Sequence, residues 1–537
     1  MTTMGEPEVD VVVIGAGFAG LYSIYKLREA GFTVRVFEKG DGIGGTWYWN
    51  RYPGARVDIQ SVEYMFTKFP ELEQEWDWTE LMPAQEEIER YLNFVADRLK
   101  LYDAIQFKTT VTKATFDEAN ATWTIETDTG ERVTAPYVVA ATGCLSAPLE
   151  PDIPGLHSFE GDSLYTNRFP KEGYDFTGKR VAVIGTGSSG VQSIPVIAQQ
   201  ADQLFVLQRS AAYTLPSPNR SLRGGELEKL KAQYPDIRAA QWASPAGTAR
   251  LGAVFLGSMP TKLILETPWD EQVAQVEEMG MVGCFAWADS FVDLDANEAS
   301  RQLYAHAIAQ IVNDPETAAD LVPQYPFGCK RVIIDEGYFE TYNRDNVRLV
   351  NLRKSPIVEI TPTGIQLQDE FLELDVIELA TGFDAMTGSL SRIDVRGRGG
   401  VVLRDVWKET PTAYLGLQVA GFPNLFTVTG PGSPSVLTNM VTSIEHHVEL
   451  ITDTLRHMRH NNIRTIEADA TAQHEWAQHV NTFVGKAQTH PNCASWYLGA
   501  NVPGKTRYYM PYAGGLTTYM QRCQEIVEAD YEGFVLA

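Results

Sequence analysis

Two stretches of the chain combine residue types that bind nucleotides: a glycine-rich turn and, about twenty residues later, a charged residue closing a strand. The first is DVVVIGAGFAG, residues 10–20, followed by VRVFEKG, residues 34–40, which closes on Glu38. The second is RVAVIGTGSSG, residues 180–190, followed by LFVLQRS, residues 204–210, which closes on Arg209 and Ser210. In each turn the first glycine (Gly15, Gly185) permits the sharp bend, and the second (Gly17, Gly187) lets the backbone approach a pyrophosphate. The third (Gly20, Gly190) lets the helix pack closely, and the free N–H groups where the helix starts, at Ser188 in the second copy, suit phosphate oxygens. Opposite charges at the strand ends then separate the ligands. Glu38 would accept hydrogen bonds from ribose hydroxyls, as is typical of an FAD site, whereas a carboxylate there would repel a 2′-phosphate. Arg209 binds such a phosphate through paired charge-assisted hydrogen bonds, with Ser210 as a hydroxyl donor, and so argues for NADPH over NADH.

Regular elements must hold these residues in place. Each turn lies in the order strand, turn, helix, strand, the context that makes a GxGxxG match specific. LYSIYKLREAG follows the first turn with helical spacing and stops at a glycine. Apolar strands running into Thr-Gly turns recur at YVVAATG, residues 137–143, and VIELATGFD, residues 376–384, where chains with two dinucleotide sites cross between domains. The expected fold is α/β, with two Rossmann-like dinucleotide-binding domains and a helical insertion. Residues 1–145 and 381–537 are assigned to the FAD domain, and residues 146–220 and 326–380 to the NADPH domain. Residues 221–325 read as the insertion, because stretches such as ANEASRQLYAHAIAQIVNDPETAADL have helical periodicity and no nucleotide motif.

Composition limits the partners. With 44% hydrophobic and 21% charged residues in 537, the chain reads as globular and of more than one domain. A formal charge of −25 would repel phosphate backbones and anionic headgroups, which disfavours nucleic acid and membrane surfaces. The acidic start lacks a signal peptide's basic and apolar regions, and no apolar run reaches membrane-spanning length, so a cytoplasmic protein is expected. The five cysteines stand singly, without CxxC or metal-ligand spacing, and read as reduced structural thiols. No metal site is expected, and the oligomeric state is left open, a monomer included.

Beyond the glycine turns, the chain resembles the Baeyer-Villiger monooxygenases along most of its length. GGTWYWNRYPGARVD, residues 44–58, matches a family signature, and further matches are YPFGCKR (325–331), TYNRDNV (341–347), ATGFDA (380–385), GPGSPSVLTNM (430–440) and ASWYLGANVPGK (494–505). The resemblance implies that NADPH reduces FAD, that dioxygen adds to the reduced flavin as a C4a-peroxide, and that this attacks a ketone to give an ester or lactone. A peroxide that must stay deprotonated needs a fixed positive charge in a site shielded from water. The resemblance assigns that charge to Arg331 and its anchoring carboxylate to Asp58. An arginine suits the task because it keeps its proton at neutral pH. Gly45, Thr46 and Trp47 are carried over as cofactor-binding, Lys330 as Arg209's helper at the 2′-phosphate, and Trp496 as a coenzyme contact. Ser435, Val436 and Leu437 are carried over as the border of the substrate pocket.

One family signature departs from its pattern. The expected FxGxxxHxxxWP reads FEGDSLYTNRFP at residues 159–170, with Tyr165 for the histidine and Phe169 for the tryptophan. Tyrosine keeps an aromatic ring and a polar tip but cannot take the imidazolium charge. The chemistry is expected to survive with altered coupling or rate. Two other readings compete: an N- or S-oxygenating flavin monooxygenase, and a flavoprotein that senses or merely oxidises NADPH.

Overall fold

Two five-stranded sheets, each parallel throughout, organise the computed structural model, which describes residues 8–249 and 260–537. The first runs in the order Leu425–Thr427, Tyr137–Ala140, Val11–Ile14, Val34–Phe37, Ile105–Gln106. The second runs Val347–Asn351, Gln203–Gln208, Arg180–Ile184, Val376–Leu379, Asp162–Tyr165. In both, the middle strand feeds the glycine turn and then a helix, Phe18–Glu29 in the first and Ser188–Gln200 in the second. The middle strands are apolar runs because helices or a further sheet cover both of their faces: all four residues of Val11–Ile14 are buried.

The helix Phe18–Glu29 buries Leu21, Ile24 and Leu27 against the long helix Met440–His460, which brings Val441, Val448 and Leu455 into the same core. The second sheet, through Val183 and Val206, and the helix Ser188–Gln200, through Ile194, share a core with the helix Leu294–Ile311. Helices Glu226–Ala232, Tyr234–Ala243, Trp269–Met279, Leu294–Ile311 and Pro315–Asp320 occupy much of residues 221–325; residues 250–259 of that stretch lie outside the described ones. Small sheets flank the large ones: a four-stranded sheet that includes Val111–Asp117 and Asp394–Arg396, and an antiparallel one over 357–373. No helix among the described residues is long and apolar enough to cross a membrane.

The cysteines correct the sequence reading. Cys329 and Cys493, 164 positions apart, are joined in a disulfide with their Cα atoms 5.7 Å apart; Cys144, Cys284 and Cys523 are free and buried. Spacing along the chain carried no sign of this pair because folding alone makes these two positions neighbours.

Candidate active site

At the first turn Gly15 takes φ +104°, and a Cβ on Gly20 would lie 2.0 Å from the Gly15 carbonyl oxygen, so neither position admits a side chain. Glu38 is buried at the strand end, where its two carboxylate oxygens accept the backbone N–H groups of Ala16 and Gly40, each at 2.8 Å. It is thereby fixed beside the turn, and each oxygen keeps a lone pair that can accept a further hydrogen bond. A second glycine turn lies over this one: Gly44 N–H donates to the Ala16 carbonyl at 3.0 Å, and Gly45 abuts Gly17. Thr46 and Trp47 open the short helix Thr46–Trp49; Thr46 is exposed, while Trp47 is buried and its Nε1 donates to the Tyr64 hydroxyl at 3.2 Å.

The second turn repeats the geometry, with Gly185 at φ +113° and a Cβ on Gly190 falling 2.1 Å from the Gly185 carbonyl oxygen. Here Gly187 and Ser188 are exposed, and so is Arg209. Ser210 is tied to this turn by Thr186, whose hydroxyl donates to the Ser210 carbonyl at 2.9 Å. Lys330 comes close to Arg209, with its ammonium 4.5 Å from the centroid of the Tyr325 ring. Burial, and then the charges of Arg209 and Arg353, push the Lys330 ammonium down to about 8.

Asp58 and Arg331 form a half-buried ion pair. Arg331 Nε donates to Asp58 Oδ2 at 2.6 Å across 273 positions of sequence, and Arg331 Nη1 donates to the Val436 carbonyl at 2.9 Å. Asp58 follows the Thr46–Trp49 helix, whereas Arg331 precedes the strand Ile333–Asp335, which pairs with Thr214–Pro216, so the ion pair ties together segments far apart in sequence. Asp58 holds the guanidinium proton even more tightly than usual, which makes the positive charge permanent at any ordinary pH. Two anchors also fix its direction.

The surroundings are apolar or neutral. Ser435–Leu437 form one 3-10 turn, and buried Ser435 takes φ 43°, a left-handed conformation that is strained for a non-glycine residue and that sets the Val436 carbonyl toward Arg331. The Cys144 thiol bonds to Ser435 and is pushed up to about 11 by burial, so it stays protonated. Tyr497 is pushed up to about 12 by burial, with Arg331 opposing, and burial raises Tyr64 as well. Both phenols therefore stay protonated near neutral pH and add no negative charge beside Arg331. Half-buried Trp496 packs edge-on against Tyr497 at 4.3 Å between ring centroids. Their segment is held by the Cys329–Cys493 bond, by Lys505 on Asp384 at 2.5 Å, and by Asn501 Nδ2 donating to the Phe383 carbonyl at 2.8 Å.

The structure thus gathers Asp58, Arg331, Val436 and Tyr497 and, separately, Arg209, Ser210 and Lys330. Sequence reasoning did not single out Tyr64, Cys144 and Tyr497, which surround Arg331, or Arg353, which acts on Lys330. Tyr497 adjoins a matched tryptophan and Cys144 follows a Thr-Gly turn, and those neighbours were the available signals. At the altered signature, Tyr165 ends an edge strand, its hydroxyl donates to Glu150 at 3.2 Å, and the Arg168 guanidinium lies 3.8 Å from its ring centroid. Phe169 is buried in the second core.

The chain is similar to known proteins along nearly its whole length. Residues 8–223 match the family described as flavin-binding monooxygenase-like. The chain is 38% identical to an acetone monooxygenase (methyl acetate-forming) of Gordonia sp. (strain TY-5), covering 99% of this chain and 100% of the relative. It is also 38% identical to a phenazine N-monooxygenase of Lysobacter antibioticus, over 98% of this chain and 97% of the relative. Among solved structures, an oxidized steroid monooxygenase bound to NADP superposes with a TM-score of 0.90 at 44% identity, covering 99% of each chain.

Proposed function

This chain belongs to the Baeyer-Villiger monooxygenases, and from that premise we propose how its residues divide the work. The enzyme uses FAD, NADPH and dioxygen to insert one oxygen atom beside a ketone carbonyl, giving an ester or lactone. The other oxygen atom leaves as water, with one NADPH oxidised per ester formed.

The two turns fit these cofactors. The first offers FAD a backbone cradle, Gly15, Gly17 and Gly20, overlaid by Gly45, Thr46 and Trp47, with buried Glu38 for the ribose. The second offers NADPH an open glycine, Gly187, and Arg209, Ser210 and Lys330 for the 2′-phosphate. Bound flavin supplies the activated oxygen once NADPH has reduced it; the rest falls to the protein. Arg331 places a permanent positive charge where negative charge develops on the substrate carbonyl oxygen. Asp58 and the Val436 carbonyl hold its direction, and the guanidinium N–H groups they leave over are donors for that oxygen. Cys144, Tyr64 and Tyr497 add no competing anion. Ser435, Val436 and Leu437 border the ketone, and Trp496 contacts the coenzyme from the segment that carries Tyr497.

The observation that carries this reading is the 2.6 Å bond between Arg331 and Asp58, which supports a cation of fixed direction. The test is to feed a panel of linear, cyclic and aromatic ketones to the purified holoenzyme and measure ester, NADPH and hydrogen peroxide together. Ester formed in step with NADPH use is expected; hydrogen peroxide alone on every ketone would refute the reading. The phenazine N-monooxygenase relative favours one second reading, oxygen transfer to an aromatic nitrogen. Phenazine belongs in the same panel, and N-oxide in place of ester would favour that reading.

A further inference from the structure

We propose that Arg353 is a third cation of the 2′-phosphate site and that, with Arg209 and Lys330, it sets the preference for NADPH over NADH. The inference rests on the reading that Arg209 faces the adenosine ribose, and the experiment below separates the failure of one from the failure of the other.

Topology brings the two arginines together. Strands Gln203–Gln208 and Val347–Asn351 are parallel neighbours with Gln208 opposite Asn351, so both chains leave the sheet at the same end. Arg209 follows the first strand directly, and Arg353 comes two residues beyond the second. The register continues past the strands, because Leu352 N–H donates to the Gln208 carbonyl at 2.9 Å. Asn351 Oδ1 accepts the Arg353 N–H at 3.0 Å and fixes the turn. The exposed Arg353 side chain then reaches across, its Nη2 donating to Ser210 Oγ at 3.4 Å. In parallel α/β sheets the crevice beyond the carboxyl ends of the strands is where nucleotides bind.

Charge supplies the second argument. Arg209 and Arg353 both act on the half-buried Lys330 ammonium. Among the described residues none of these three cations has a carboxylate within ion-pair distance, although the chain carries 69 acidic residues against 44 basic ones. The adjacent Lys354 shows the contrast: it is neutralised by Glu316 at 3.0 Å and Asp320 at 2.9 Å. Three unpaired like charges in one crevice repel one another, and an anion of about two charges relieves that repulsion. A phosphate monoester is such an anion at neutral pH. Two guanidiniums can each engage it with paired hydrogen bonds, while the ammonium acts as a point charge. NADH lacks this group and would leave all three cations uncompensated.

The test compares kcat/KM for NADPH and for NADH in the holoenzyme, in Arg353→Ala and in Arg209→Ala, with inhibition by 2′,5′-ADP as a binding readout. Arg353→Ala is expected to narrow the NADPH-to-NADH ratio about tenfold and to weaken 2′,5′-ADP by a similar factor. Arg353→Lys should recover part of the preference. If Arg353→Ala moves both coenzymes equally, or neither, while Arg209→Ala narrows the ratio, Arg353 is not part of the site. If Arg209→Ala also leaves the ratio intact, the underlying reading of the site falls, and this inference with it.

Discussion

The two glycine turns share a backbone and differ in what surrounds them. A Cβ on Gly17 would meet the Gly45 backbone at 3.4 Å, whereas a Cβ on Gly187 would meet nothing within 4 Å. Glu38 is buried and holds two backbone N–H groups; Arg209 is exposed, with no carboxylate partner among the described residues. The first site is closed by its own chain and suits a nucleotide that stays bound. The second is open and charged, and suits one that enters and leaves in every turnover. The lesson is that the sequence motif sets the turn, while packing around the turn sets how much of it stays open.

Several substitutions would break or sharpen this contrast. The largest effect is expected from Gly20→Ala, whose Cβ falls 2.0 Å from a backbone oxygen. Overpacking of that kind costs on the order of 3 kcal/mol or more, so the protein should be recovered with little bound flavin, read as flavin absorbance per polypeptide. Gly187→Ala meets no protein atom and should keep its flavin. Its methyl group would enter the space a pyrophosphate needs, and KM for NADPH should rise at least about tenfold. A Gly187→Ala protein that lost FAD as readily as Gly20→Ala would erase the contrast.

A smaller effect follows from pH. Lys330 sits near 8 in the free enzyme, so it is charged below that value, and an arriving phosphate favours the charged form. Affinity for NADPH should therefore be steady below pH 8 and weaken above it, by up to about tenfold at pH 9. NADH should show a flatter profile, and Lys330→Met should abolish the difference between the two pH profiles.

Legibility in the sequence followed locality. Glu38 and Arg209 could be found because strand, glycine turn, helix and strand are consecutive. The partnership of Asp58 with Arg331 spans 273 positions and came only from the family resemblance, since no local pattern encodes it. Arg353 was missed because its strand has no glycine turn; a cation just past the neighbouring parallel strand is a signal only once strand order is known. The Cys329–Cys493 bond was missed for the same reason, and the expectation of reduced thiols was wrong for that pair. The edge position of Leu425–Thr427 in the first sheet is likewise a product of tertiary pairing.

The central claim is that the fixed cation, Arg331, serves oxygen insertion rather than flavin reduction. The most direct measurement follows flavin reduction by NADPH and ester yield together in Arg331→Ala, with a ketone the parent enzyme accepts. Flavin reduction should persist while ester falls about 100- to 1,000-fold, and the missing electrons should appear as hydrogen peroxide. Ester produced at the parental yield by that variant would contradict the account.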